Sequence, residues 1–173
     1  IYNSRSHANY EKRDYERAIH DLNQAIRLNP RYTLAMYNRA MAFRASGAPE
    51  RAVPDYDAFL KITPNDAAAY HNRGLAYRDL RDYDRAIRDF DQAIRITSNF
   101  TQAFNDRGLA YIAKGETDRA IEDFDHAILL NPRDPVAFNN RGLAYRNKGE
   151  TEAAINNYDQ AIQLNPEFSL AYY

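Results

Sequence analysis

Cysteine is absent from the chain, so disulfide bonds, thiol catalysis and zinc sites with cysteine ligands are excluded. A protein without cysteine fits the cytosol and the periplasm equally, which leaves the compartment open. The six glycines are isolated from one another, so the sequence contains no glycine-rich phosphate loop. No apolar run approaches the roughly 20 residues that a membrane-spanning helix needs.

The charges nearly cancel, because 23 Lys and Arg face 24 Asp and Glu and give a net charge of −1. Nucleic-acid-binding proteins usually carry a basic excess, so we expect no nucleic-acid partner, and RNA binding is disfavoured. The histidines lie at unrelated positions (His7, His20, His71 and His126), and none pairs with another at metal-ligand spacing. We expect no catalytic residue, metal or cofactor in this segment.

The segment NRGLAYR occurs at residues 72–78 and again at 140–146, 68 residues apart, and looser copies at 38–44 and 106–112 complete a series of 34-residue steps. A period of 34 divides the chain into blocks 1–30, 31–64, 65–98, 99–132 and 133–166, and 167–173 begins a sixth. The last two full blocks are identical at 20 of 34 positions. Repetition at this period predicts a helical repeat array occupying the whole chain.

Each block contains two helical patterns joined by a short turn. Gly115 and Gly149 are predicted to end first helices in the left-handed conformation, with Thr117 and Thr151 starting the next helices. Asn-Pro or Thr-Pro pairs end four of the second helices. Pro54 falls inside the expected second helix of block 31–64, where the helix can start late or kink and so bend the array; the favoured interpretation is an irregularity that is accommodated locally.

The repeated pattern resembles the tetratricopeptide repeat, a 34-residue helical hairpin. Block 99–132 carries the motif as Phe104, Gly108, Tyr111, Ala120, Phe124 and Pro132, and block 133–166 as Phe138, Gly142, Tyr145, Ala154, Tyr158 and Pro166. Block 65–98 has Ser98 in place of the proline, block 31–64 is looser, and the first block is the loosest, with Ser6 and Leu22 at the glycine and aromatic positions. The resemblance implies an all-α solenoid of antiparallel helix–turn–helix hairpins in a right-handed superhelix.

An arginine precedes the glycine position in every block, where the family commonly has leucine: Arg5, Arg39, Arg73, Arg107 and Arg141. A helical wheel places this row at the margin of the packed face, where a charge needs a partner. Two acidic rows on the second helices qualify, and the sequence leaves open which one pairs. One comprises Asp21, Asp55, Asp89 and Asp123; the other comprises Asp57, Asp91, Asp125 and Asp159. We expect the arginine row to form a structural ladder inside the array, in which each repeat contributes one rung, an arginine paired with an aspartate.

The resemblance also implies a concave groove lined by first helices and available to an extended peptide or helix. The candidate groove residues are Tyr37, Asn38, Arg44, His71, Asn72, Arg78, Asn105, Asp106, Asn139, Asn140 and Arg146. Asparagine both donates and accepts hydrogen bonds, so a row of them suits a peptide backbone. It suits hydrogen bonding to the adjacent repeat, or to solvent, equally well. The lysines with which chaperone-binding arrays clamp a carboxylate are missing.

The sequence therefore predicts a protein-interaction scaffold, and the alternative is a recruiting or regulatory arm of a larger enzyme. The termini, IYNSRSHANY and SLAYY, do not resemble natural ends, so we expect the chain to be a piece of a longer protein. The segment at 167–173 does not cap the last hairpin well, which predicts end-to-end self-association through that face.

Overall fold

A computed structural model describes residues 2–167 of the chain, and these form ten α-helices. The helices are α1 (Tyr2–Glu11), α2 (Tyr15–Leu28), α3 (Thr33–Ala45), α4 (Pro49–Ile62), α5 (Ala67–Asp79), α6 (Tyr83–Ile96), α7 (Thr101–Lys114), α8 (Thr117–Leu130), α9 (Pro135–Lys148) and α10 (Thr151–Leu164). The all-α prediction is confirmed. Apart from Glu167, the expected start of a sixth repeat lies outside the described residues.

The helices pack as five consecutive hairpins, each made of an odd-numbered helix and the even-numbered helix that follows it. The chain divides into two compact units, one ending at Ile96 and the other beginning at Thr97. The first unit contains three hairpins, with α2 packed on α3 and α4 packed on α5. The second contains two hairpins, with α8 packed on α9.

Small residues form the closest contacts inside each hairpin. Ala86 and Ala120 are 0% exposed, and the rings of Phe90 and Phe124 beside them are equally buried. A Cβ atom added at Gly74 would lie 2.7 Å from Cε1 of Phe90. That distance is shorter than carbon atoms tolerate, so a side chain at position 74 would require the Phe90 ring to shift where the second helix crosses the first.

At one position of the turn inside each hairpin, three hairpins have glycine and two have arginine. Gly115 and Gly149 both adopt a φ angle of 79°, which confirms their predicted left-handed conformation, and Gly47 adopts the same conformation with a φ of 82°. Arg13 and Arg81 occupy the same position in the first and third hairpins and take a φ of 60°. A side chain with a Cβ is strained in this left-handed region, so these two turns are less favourable than those with glycine.

Pro54 lies inside α4, which begins at Pro49 and continues to Ile62. Of the alternatives for Pro54, the late start is wrong, since the helix begins at Pro49, in the first turn, where a missing backbone N–H is harmless. The continuous helix agrees with a locally accommodated irregularity. Pro54 removes one hydrogen bond from the helix interior. Tyr56 and Phe59, which follow it, are 1% and 9% exposed, so packing holds the helix together across the proline.

Candidate functional site

Four of the five arginines in the repeated row bind an aspartate on the second helix of their own hairpin. Arg39 donates from Nε and Nη2 to Asp55 at 2.7 Å each. The same two-bond geometry joins Arg5 to Asp21, Arg73 to Asp89 and Arg107 to Asp123 at 2.5–2.9 Å. Paired N–H···O bonds fix the plane of the guanidinium as well as its distance, so each pair links the two helices of its hairpin in a defined geometry.

The same guanidinium also reaches the second helix of the preceding hairpin. Arg73 donates from Nη1 to Asp57 at 2.6 Å, and Arg141 donates from Nη1 to Asp125 at 2.5 Å. Arg39 makes the equivalent bond to Asn23 at 2.7 Å. The sequence left open which acidic row is the partner; at Arg73 both rows are partners, and the arginine ties one hairpin to the next.

Burial determines how these pairs titrate. Burial by itself lowers the pKa of Arg73, but its hydrogen bonds to Asp89 and Asp57 outweigh that effect and raise the pKa. Burial raises the pKa of the Asp89 carboxyl above its usual range, against the opposing effect of Arg73. At the more exposed first rung, the hydrogen bond from Arg5 lowers the pKa of Asp21. The rungs therefore differ in acid sensitivity although their geometry repeats.

Two groove asparagines bind the first helix of the preceding hairpin. The Nδ2 of Asn38 donates to Oδ1 of Asn3 at 3.0 Å, and Nδ2 of Asn72 donates to the hydroxyl of Tyr37 at 2.5 Å. Of the alternatives that the sequence left open, these two side chains take the contact with the adjacent repeat. The acceptor Tyr37 is itself a candidate groove residue, and burial raises its pKa while the bond with Asn72 opposes that rise.

The asparagines of the second unit behave differently. Asn105 is 7% exposed and directs Nδ2 toward Oδ2 of Asp134 at 3.5 Å, beside the start of α9. Its Oδ1 is buried and accepts no hydrogen bond, and the same holds for Oδ1 of Asn139 at the equivalent position of the next hairpin. Asn140 is also 7% exposed. An unsatisfied buried amide oxygen costs about 1–3 kcal/mol, so these two oxygens need an explanation.

The remaining candidate groove residues differ in their burial and in their contacts. His71 is buried with its ring 5.6 Å from that of Phe90. Arg44 donates from Nε to Asp79 at 2.7 Å, a contact between α3 and α5 that the sequence analysis missed. A search for opposite charges one repeat apart would have found it. Arg78 and Asp106 are half-buried, and Arg146 is exposed.

Comparison with known families decides the identity of the repeats. Tetratricopeptide repeat models match residues 4–67, and 67–100 and 135–168, and a TPR repeat model matches 108–149. The chain is a tetratricopeptide repeat protein. No curated protein matches its sequence. Within residues 2–167, no group of three or more His, Asp or Glu side chains could hold a metal ion, and no helix is both long and apolar enough to cross a bilayer.

Solved tetratricopeptide structures share the fold over nearly the whole length of both chains. The chain of MamA from residue 41 to its end, from Desulfovibrio magneticus RS-1, is 21% identical with a TM-score of 0.87, and the match covers 96% of this chain and 94% of that chain. A thermophilic TPR protein of Thermus thermophilus, TTC0263, is 20% identical with a TM-score of 0.79, covering 99% and 93%. YrrB, a TPR protein with an unusual peptide-binding site, is 22% identical with a TM-score of 0.79, covering 99% and 88%. Identities at this level show the shared fold alone.

Proposed function

We propose that this tetratricopeptide repeat protein is a non-enzymatic scaffold that binds an extended peptide along the first helices of its hairpins. The observation that carries the proposal is the pair of buried, unsatisfied carboxamide oxygens on α7 and α9, Oδ1 of Asn105 and Oδ1 of Asn139. Buried polar atoms are almost always hydrogen-bonded. Backbone N–H groups of a bound peptide would supply the donors that these two oxygens lack, once each carboxamide turns toward the peptide.

The position of the two asparagines supports this proposal. They stand 34 residues apart at one repeat position on adjacent first helices, and an extended chain presents N–H groups to one side at regular intervals. The likeness to YrrB, which has a peptide-binding site, supports a peptide as the ligand. The net charge of −1 favours a peptide over a nucleic acid, because phosphate contacts need a basic surface.

A peptide-display selection against the chain tests the function directly. We expect enriched peptides whose affinity falls about tenfold or more in the double variant Asn105→Ala/Asn139→Ala, since two hydrogen bonds of about 1 kcal/mol each are lost. Asn156→Ala, at an exposed asparagine of α10, is the matched control and should bind as the unchanged chain does. Failure to enrich any peptide would overturn the function, and equal binding by the double variant would overturn the role of these asparagines.

We also propose that the α10 end associates with a second copy of the chain. Ile155 is 52% exposed, whereas Ile87 at the same repeat position in α6 is 8% exposed. The α10 end thus carries apolar surface that its counterpart buries. Sedimentation equilibrium should show a dimer that Ile155→Ser weakens; a monomer at every concentration would contradict this.

A further inference from the structure

A cavity of about 90 Å³ lies in the first unit among α1, α2 and α3. Its walls are Ser6, His7, Tyr10 and Glu11 of α1, Ala18 and Leu22 of α2, and Asn38 and Met41 of α3. A single water needs only about 10–15 Å³ of such volume. The cavity is therefore large enough for several waters or for part of a side chain.

The cavity has its origin in two departures of the first hairpin from the repeat pattern. The third, fourth and fifth hairpins pair a glycine with an aromatic ring, as Gly74 does with Phe90, and the ring fills the space between the helices. The first hairpin has Ser6 and Leu22 at these positions. Both are buried, at 1% exposed each. A leucine lacks the far part of the ring, so this hairpin keeps unfilled space where the others are packed.

The walls combine an apolar floor with a polar mouth. Ala18 and Leu22 are buried and Met41 is half-buried, whereas His7 and Glu11 are exposed. The cavity consequently opens to solvent on the side of α1. A ligand that fits these walls has an apolar stem and a polar head, as lysine and arginine side chains do.

The charge at the mouth is negative. Glu11 forms no ion pair within the described part of the chain, and it is the one carboxylate among the lining residues. The basic residues Lys12 and Arg13, which follow it, are exposed and do not line the cavity. Arg44, one turn beyond Met41 on α3, is near enough to Tyr10 to oppose the rise that burial causes in the pKa of its hydroxyl, and Asp79, at 2.7 Å from Arg44, balances the Arg44 charge. The neutral ring of Tyr10 adds a surface on which a cation can lie.

We infer that this cavity is a subsite for a basic side chain of a bound peptide, with the methylene stem against Leu22 and Met41 and the cationic head at Glu11. The assignment rests on the proposed function, which supplies a peptide as the ligand, and Asn38, a candidate groove residue, lines the cavity. The subsite adds to that function a preference for lysine or arginine at the peptide position that contacts the first hairpin.

The subsite can be tested without a peptide, using capped amino acids as probes. The chain contains two methionines, Met36 and Met41, so a spectrum of ¹³C-labelled methionine methyl groups has two signals. N-acetyl-lysine methylamide should shift the Met41 signal and leave the Met36 signal in place, with weak affinity, on the order of 1–10 mM for so few buried atoms. The norleucine analogue, which keeps the stem without the charge, should bind about fivefold more weakly, and the glutamate analogue should not bind.

Two variants separate the stem from the head. Glu11→Gln should weaken the lysine probe about fivefold and leave the norleucine probe unchanged. Ser6→Gly/Leu22→Phe restores the glycine–aromatic pair of the other hairpins and fills the cavity. It should abolish the Met41 shift for both probes while the melting temperature stays equal or rises, which distinguishes a filled site from an unfolded one.

Each negative result overturns a different claim. Equal binding of lysine and norleucine probes would overturn the basic preference, and an unmoved Met41 signal with every probe would overturn the subsite. Neither result concerns Asn105 and Asn139, whose display selection tests the proposed function separately. If the lysine probe shifts the Met41 signal while the display selection enriches no peptide, the proposed function is overturned and the preference of the cavity for a basic side chain still stands.

Discussion

Arg73 holds the carboxylate of Asp89 through Nε at 2.8 Å and Nη2 at 2.7 Å, and its Nη1 lies 2.6 Å from Asp57 on the preceding hairpin. The Arg73 side chain is 18% exposed and the Asp89 side chain is 7% exposed. One guanidinium thus neutralises a buried carboxylate and joins three helices, α4, α5 and α6. Such a group cannot be removed without leaving a charge buried.

We predict that Arg73→Ala lowers the free energy of unfolding by about 3 kcal/mol, because the Asp89 carboxylate then lacks its partner. Arg73→Leu/Asp89→Ala should be less destabilised than Arg73→Ala, since the double variant leaves no buried charge. Urea denaturation of the three proteins measures both differences. A double variant less stable than the single one would contradict this, because it would show that the Asp89 carboxylate still stabilises the fold after Arg73 is removed.

Gly74 is predicted to tolerate alanine better than valine. A Cβ at this position would lie 2.7 Å from Cε1 of Phe90, so Gly74→Val should cost about 1–3 kcal/mol of stability by overpacking. Ala40 occupies the same position in α3, is 0% exposed and packs in one cluster with the ring of Tyr56. A small shift of the ring can thus accommodate one methyl group. Calorimetric melting of the two variants checks the order, and equal melting temperatures would contradict the close approach.

The fold was predictable from the sequence because each hairpin repeats the same physical solution. Gly108 and Phe124 recur at fixed spacing, and so do the alanines that let helices approach, which makes the pattern readable without any structure. Pro54 shows the limit of this reading. The local rule for proline left open a late start, a kink or a local accommodation, and the packing of Tyr56 and Phe59 keeps α4 continuous across the proline. Tertiary contacts decided the outcome, and a single helix pattern does not contain them.

The candidate site was predictable in its residue types and not in their partners. An arginine at the margin of the packed face indicated an aspartate partner. The 34-residue repeat, however, places aspartates of two acidic rows at equal distance from Arg73 in the sequence, and only the structure shows that Arg73 binds both. Asparagine amides raise the same difficulty. Asn72 and Asn105 both belong to the predicted groove, yet Asn72 donates to Tyr37 and Asn105 retains an unsatisfied oxygen.

Replacing Arg81 by glycine should stabilise the third hairpin. Arg81 has a φ of 60°, in the region that glycine occupies in the equivalent turn at Gly47. Relief of the strain at Cβ outweighs the extra unfolded-state entropy of glycine, giving a net gain of about 0.5–1 kcal/mol. Thermal unfolding of Arg81→Gly measures the gain. Gly47→Ala is the reverse control, and it should lower the melting temperature although open space surrounds this glycine.

Acid should weaken the first rung in a defined direction. The hydrogen bond from Arg5 lowers the pKa of Asp21 in the folded protein, so the unfolded chain binds this proton more readily. The stabilisation is therefore complete above the ordinary aspartate pKa of about 3.9 and is lost as the pH falls through the folded-state value. Urea unfolding of the unchanged chain and of Asp21→Asn should differ most near neutral pH and converge in acid. Asn157 shows that asparagine fits such a rung, since Arg141 donates to its Oδ1 at 2.7 Å. Glu152→Gln, at an exposed carboxyl, controls for the lost negative charge. If the free energies of unfolding of the unchanged chain and of Asp21→Asn still differ by the same amount in strong acid, the role of Asp21 does not depend on its ionisation.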